Sequence, residues 1–158
     1  MKTTIVIIIG ILTFATSLPI NSQTLSDEQI TTIRKEVDSV FIRMIRYAEN
    51  LDYDKFKNGV EDKYNAGFIL NAKYYSTYSD LHSFVKLSAQ GVNHQKLSAH
   101  TKKISVLTSD IVLLTTSGTS VVTLDDGREI GVNFFWTFVY EKIDNTWKVV
   151  QSHQSRLS

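Results

Sequence analysis

The chain has 158 residues, with 17 Lys and Arg against 16 Asp and Glu, one proline and no cysteine. That length suits one domain with a sizeable core, and 42% hydrophobic with 21% charged residues describes a globular chain and excludes a disordered one. Near-neutral charge, with no basic run longer than two residues, excludes a stripe for nucleic-acid phosphates, and the missing cysteine excludes disulfides, Cys-zinc sites and thiol catalysis.

Met1-Lys2 precedes an apolar run from Ile5 to Ile20, broken by Gly10, Thr13, Thr16, Ser17 and Pro19. A basic start, a short apolar stretch and small residues at Ser17 and Ser22 form the pattern of a secretory signal peptide over residues 1–22. Cleavage fits after Ser17 or after Ser22. An uncleaved anchor is the competing reading, but the run is short for a span of ~20 residues and holds polar breaks. The expected domain is therefore 23–158, secreted or periplasmic in a bacterial envelope and free of the membrane after cleavage. Removing the leader takes Lys2 and the only proline, leaving equal numbers of basic and acidic side chains.

Ser26 with Gln29 three residues on reads as a capping box, Leu25 and Ile30 as a hydrophobic staple, and Asp27 and Glu28 suit the helix dipole. Ile30, Ile33, Val37, Phe41, Met44, Ile45 and Ala48 then recur at helical spacing, while Arg34, Lys35, Asp38 and Arg43 fall mostly opposite. The pattern predicts one long helix over 26–49. A short helix over 53–59, capped by Asn50 or Asp52, and strands over 67–71 and 73–78 follow. A third helix is predicted over 80–89, with Asp80 as its cap, ended by Gly91-Val92-Asn93.

From His100 the period changes to two. Strands are predicted over 101–108, 111–124, 129–142 and 146–156, with turns at Ser109-Asp110, Asp125-Asp126-Gly127 and Asp144-Asn145. Gly118 inside the second of these suggests a bulge. Helices followed by an antiparallel meander define a single α+β domain.

On residues 132–140, Val132, Phe134, Trp136, Phe138 and Tyr140 share one face, expected to be concave. That face is core, pocket wall, or both. On residues 147–155, alternation sets Lys148, Val150, Ser152 and Gln154 against Trp147, Val149, Gln151, His153 and Ser155. Both sets can line one pocket only if a bulge intervenes. The carboxylate pairs Asp52/Asp54, Glu61/Asp62 and Asp125/Asp126 fall at caps or turns, where solvated acids are expected. Tyr47, Tyr74, Tyr75 and Tyr78 could donate hydrogen bonds near a pocket mouth. His82, His94, His100 and His153 lack metal-ligand spacing, and no nucleotide or hydrolase-elbow motif is present, so no metal and no cofactor is expected.

The stretch Trp136-Thr-Phe-Val-Tyr-Glu-Lys-Ile-Asp-Asn-Thr-Trp147-Lys-Val-Val-Gln-Ser-His153-Gln-Ser155 resembles the ending of SnoaL-like domains. Those domains belong to the nuclear transport factor 2-like superfamily with ketosteroid isomerase. Asn50-Leu-Asp-Tyr-Asp-Lys-Phe56 resembles its short second helix and Phe68-Ile-Leu-Asn71 its first strand. Asn145-Thr146 departs from the glycine common at the last turn.

The resemblance implies a cone-shaped curved antiparallel sheet wrapped around a long N-terminal helix and two shorter ones. It further implies a largely apolar pocket at one end and a homodimer packed through the sheet. Pocket positions carried over fall on Ser152 and Gln154, which puts His153 on the other face as a dimer contact or, alternatively, makes it a catalytic or ligand-contacting residue. The base, acid and tyrosine of ketosteroid isomerase fall on Asn71, Trp136 and Met44, and none keeps the chemistry. Asn71 could still orient a carbonyl or a water.

The expected ligand-binding set is Met44, Asn71, Trp136, Phe138, Ser152 and Gln154, around a small apolar molecule and without committed catalysis. Two alternatives stand beside it. One is a cofactor-independent cyclase, isomerase or hydratase acting on an apolar carbonyl compound, and the other a non-enzymatic oligomerisation or interaction domain. A cone filled by Phe134, Trp136 and Phe138 would favour the last.

Overall fold

The computed structural model describes residues 24–157, and the signal peptide expected over residues 1–22 lies outside them. Helix α1 (Asp27–Glu49) begins where the capping box predicts: Ser26 Oγ accepts from the Gln29 N–H, and Gln29 Oε1 accepts from the Ser26 N–H. Its apolar stripe of Ile33, Val37, Val40, Phe41, Met44 and Ala48 is buried. The short helix α2 (Tyr53–Lys57) is capped by Asp52. Strands β1 (Phe68–Leu70) and β2 (Lys73–Tyr75) are shorter than expected. They are joined by Asn71 and Ala72 at φ 49° and 63°, the left-handed pair of a type I′ hairpin.

Helix α3 (Tyr78–Ser88) starts earlier than the sequence suggested, and its cap is Thr77 rather than Asp80. Thr77 Oγ1 accepts from the Asp80 N–H while its hydroxyl donates to Asp80 Oδ2, so Asp80 completes the cap from inside the first turn. The Asp62 carboxylate accepts from the Tyr78 N–H at 2.7 Å and ties the preceding loop to this helix end.

Strand β3 (Val92–Val106) begins nine residues before its predicted start and ends two residues before its predicted end. The register shifts around Asn93 and His100 interrupt its alternation, which hid the first half from a period-two reading. β4 (Ile111–Leu124), β5 (Glu129–Ile143) and β6 (Thr146–Leu157) complete a sheet of order β2-β1-β6-β5-β4-β3, with only β1 and β6 parallel. The bulge inferred at Gly118 lies in its partner strand: Ala99 faces Gly118 and Thr101 faces Ser117, leaving His100 extra. Gly118 permits this. A Cβ there would stand 2.0 Å from Ser98 O and 2.6 Å from the Phe134 ring.

The curved, unclosed sheet and its helices form the expected α+β cone. α1 crosses the concave side, and its stripe packs on Val112, Leu114, Phe138, Tyr140, Trp147 and Val149. Its polar borders are not simply solvated. Arg34 donates to Ile104 O, Asp38 pairs with Lys102, and Glu36 Oε2 accepts from Trp147 Nε1 at 2.7 Å and Lys142 Nζ at 3.0 Å. The Trp147 hydrogen bond, reinforced by Lys142, holds the Glu36 carboxyl below the usual carboxylate range.

A carboxylate with a lowered folded pKa stabilises above its unfolded value and loses that contribution as pH falls through the folded one. Glu36→Gln should therefore cost about 1 kcal/mol at neutral pH, a modest figure because the side chain is part-exposed. The gap from wild type should close between about pH 5 and 3 in denaturant titrations; a constant gap would remove the charge from the account. Gly118→Ala should cost about 1–3 kcal/mol, since backbone stands where the methyl would go. An unchanged denaturation midpoint would contradict the close approach.

Candidate functional site

Beyond the reach of α1 the cone stays open, and a cavity of about 370 Å³ remains between the concave sheet and helices α1 to α3. This lies within the range of small-molecule sites, and its walls are mainly aliphatic and aromatic. Phe134 and Trp136 stack with centroids 3.9 Å apart and planes 18° apart, and Phe138 meets Trp136 edge to face at 6.1 Å. These three side chains line the space without filling it.

The inward face of β6 depends on one extra residue. Val139 pairs with Gln151 and Tyr140 with Val149, so Val150 is a bulge. Before it Trp147 and Val149 face the core; after it Ser152 and Gln154 do, opposite Phe138 and Trp136. Members of both sets that strict alternation kept apart, Trp147 and Val149 with Ser152 and Gln154, thus share one side.

Of the six residues expected to bind ligand, Met44, Asn71, Trp136, Phe138 and Gln154 come together on the cavity wall. Ser152 points the same way but is 2% exposed and lies beneath the wall, its hydroxyl taken by Gln154 Nε2 at 3.2 Å. Asn71 has a local structural reason to be Asn, since it opens the β1–β2 turn; its N–H donates to Gln154 O. His153 is exposed on the opposite sheet face, near Phe135, Thr137 and Ser155. Among the tyrosines, Tyr78 is buried on the cavity wall, Tyr75 is buried with its hydroxyl unpaired, and Tyr74 is exposed.

Two cavity residues escaped the sequence reading. His82 of α3 lies with Nε2 3.2 Å from both Tyr53 O and Asp54 Oδ1. A carbonyl oxygen only accepts, so Nε2 carries the hydrogen, and the neutral ring keeps Nδ1 as its basic nitrogen. Asp54 is shared with Lys86, whose hydrogen bond lowers the carboxyl pKa. Arg156 stands beyond Gln154 on the inward side of β6, opposite Phe134. Alternation continued from Ser152 and Gln154 reaches Arg156, and that was the signal that could have found it. His82 carried no motif, since its partners come from α2.

The other titratable groups on the wall are phenols. Burial pushes the Tyr53, Tyr78 and Tyr140 hydroxyls above the ordinary tyrosine range, and Tyr140 is raised further by the Asp38 charge. They remain protonated donors at neutral pH. Among the described residues no cluster of three or more His, Asp or Glu could hold a metal, and no helix is long and apolar enough to cross a membrane.

The fold has many solved counterparts at low identity. An NTF2-like superfamily protein from Salmonella enterica is 16% identical, with TM-score 0.72, covering 82% of this chain and 94% of that one. A proposed dehydratase of the NTF2-like family from Streptomyces avermitilis is 14% identical, with TM-score 0.72 and coverage of 82% and 99%. Hexachlorocyclohexane dehydrochlorinase LinA-type3 from Novosphingobium barchaimii is 14% identical, with TM-score 0.67 and coverage of 84% and 92%. No curated protein matches the sequence. A sequence profile described as a SnoaL-like domain matches residues 37–157. The chain belongs to the SnoaL-like domain family, and its fold is that of the nuclear transport factor 2-like structures.

Proposed function

We propose that this SnoaL-like protein is exported by its N-terminal segment and binds a small, largely apolar molecule in the cone, without committed catalysis. The observation that carries the reading is the open cavity of about 370 Å³ left when Phe134, Trp136 and Phe138 are in place. It disfavours the filled cone of a pure interaction domain. The lack of a carboxylate on its wall disfavours proton shuttling of the ketosteroid isomerase type. We include in the proposal a homodimer through the outer sheet face, where Phe135 is 48% exposed beside polar Thr137, His153 and Ser155.

Native mass spectrometry of residues 23–158, followed by denaturation and small-molecule analysis, tests both parts. A dimer mass with a retained apolar compound is the expected result. Trp136→Ala should lose that compound, and its stability cost should stay below the roughly 3–5 kcal/mol of a fully buried tryptophan, because Trp136 is only partly buried. Retention by the variant at wild-type occupancy would place the ligand elsewhere.

A second reading, a cofactor-independent enzyme acting on an apolar carbonyl compound, is favoured by His82, an imidazole on the cavity wall whose Nε2 is held by Tyr53 O. Prolonged incubation of wild type with the recovered compound should then yield a product mass that His82→Gln does not yield. An unchanged compound would end the enzyme reading.

A further inference from the structure

The charges around the cavity are one-sided. Among its lining residues there is no Asp, Glu or Lys; the ionic side chains are Arg156 and, when protonated, His82. Arg156 makes no ion pair among the described residues, unlike Lys55, Lys63, Lys86, Lys102, Arg128 and Lys142. It lies two residues beyond Gln154 on one face of β6, hence about 7 Å away. Asn71 adjoins Gln154 through its N–H···O bond of 2.8 Å. Gln154 spends one amide hydrogen on Ser152 Oγ and keeps the other. Across the ladder from Gln154 and Arg156 stand Trp136 and Phe134, the stacked aromatic pair. One end of the cavity therefore sets a guanidinium and two carboxamides against an apolar slab.

We propose that the ligand is an amphipathic monoanion: an apolar, aromatic-sized body against Phe134, Trp136 and Phe138, with a carboxylate held by Arg156 and assisted by Gln154 and Asn71. This deepens the reading of the cavity as a small-molecule site and rests on it. The guanidinium fork matches a carboxylate bidentately, and an apolar surround strengthens the pair. Arg156 is exposed, so the anion sits at the mouth and the body points inward. A carboxylate ligand also suits a wall whose described lining residues include no Asp or Glu.

The test is calorimetric titration of residues 23–158 with 2-naphthylacetate and with its uncharged isostere 2-naphthylacetamide, in wild type and Arg156→Gln. Wild type should prefer the acid by about tenfold or more, the size expected of a charge-assisted pair. The preference should shrink as salt is added. Arg156→Gln should bring the acid-to-amide ratio toward one, and Arg156→Lys should restore part of it. Equal affinity of wild type for acid and amide would overturn the anion inference and leave the pocket standing. A preference undiminished in Arg156→Gln would move the anion to another group and overturn the assignment. Binding of neither probe would count against the pocket and the anion together.

Discussion

Val150 is one residue too many for the β5–β6 ladder, and the cone is organised around that excess. A strand with strict alternation presents one set of side chains to each face along its whole length. Had β6 kept it, Trp147 and Val149 could face α1 only if Gln151, His153 and Ser155 also faced the cavity. The bulge reverses the phase after two apolar residues are seated, so the same strand closes the core at one end and offers Gln154 and Arg156 to the cavity at the other, with Ser152 buried beneath them. Its open edge is handed over at the same point. Residues 59–61 bond to Val149, and β1 takes over at Ser152.

The helix that fills the lower cone is held from both borders. Phe41, Met44 and Val37 supply the nonpolar contact, which is non-directional and could tolerate sliding along the sheet. The Glu36 acceptor under Trp147 and Lys142, and the Asp38 pair with Lys102, add direction. Fixing α1 in this way limits how far it covers the concave face, and the uncovered part is the cavity. A further bulge, at His100 opposite Gly118, interrupts the β3–β4 ladder where the two backbones approach closely.

Much of the fold was legible because local and long-range signals agreed. The capping box, the stripe of α1 and the alternation of β4 to β6 each pointed to the element that formed. The parts that were not legible have separate causes. β3 lost its first half because one-residue insertions reset the period, and a bulge is fixed by the partner strand rather than by its own residues. Thr77 took the cap from Asp80 because both side chains can serve, and the loop anchored by Asp62 decided the phase. His82 had no sequence pattern at all: its partners are a carbonyl and a carboxylate of α2.

The chemistry open to the cavity follows from what occupies the wall. Ketosteroid isomerase needs a carboxylate to take a proton and acidic donors to receive negative charge. The resemblance sets Asn71 and Met44 at two of those positions, where neither keeps the chemistry, and the buried phenols of Tyr78 and Tyr140 are pushed by desolvation away from ionisation at neutral pH. Tyr140 directs its hydroxyl at Met44 Sδ, 3.7 Å away, so even that donor points into the core beneath α1. What remains toward the cavity is a set of hydrogen-bond donors, a guanidinium and one imidazole. Such a set can orient and hold an anion at the mouth of an apolar space, and it lacks the carboxylate base that ketosteroid isomerase chemistry requires.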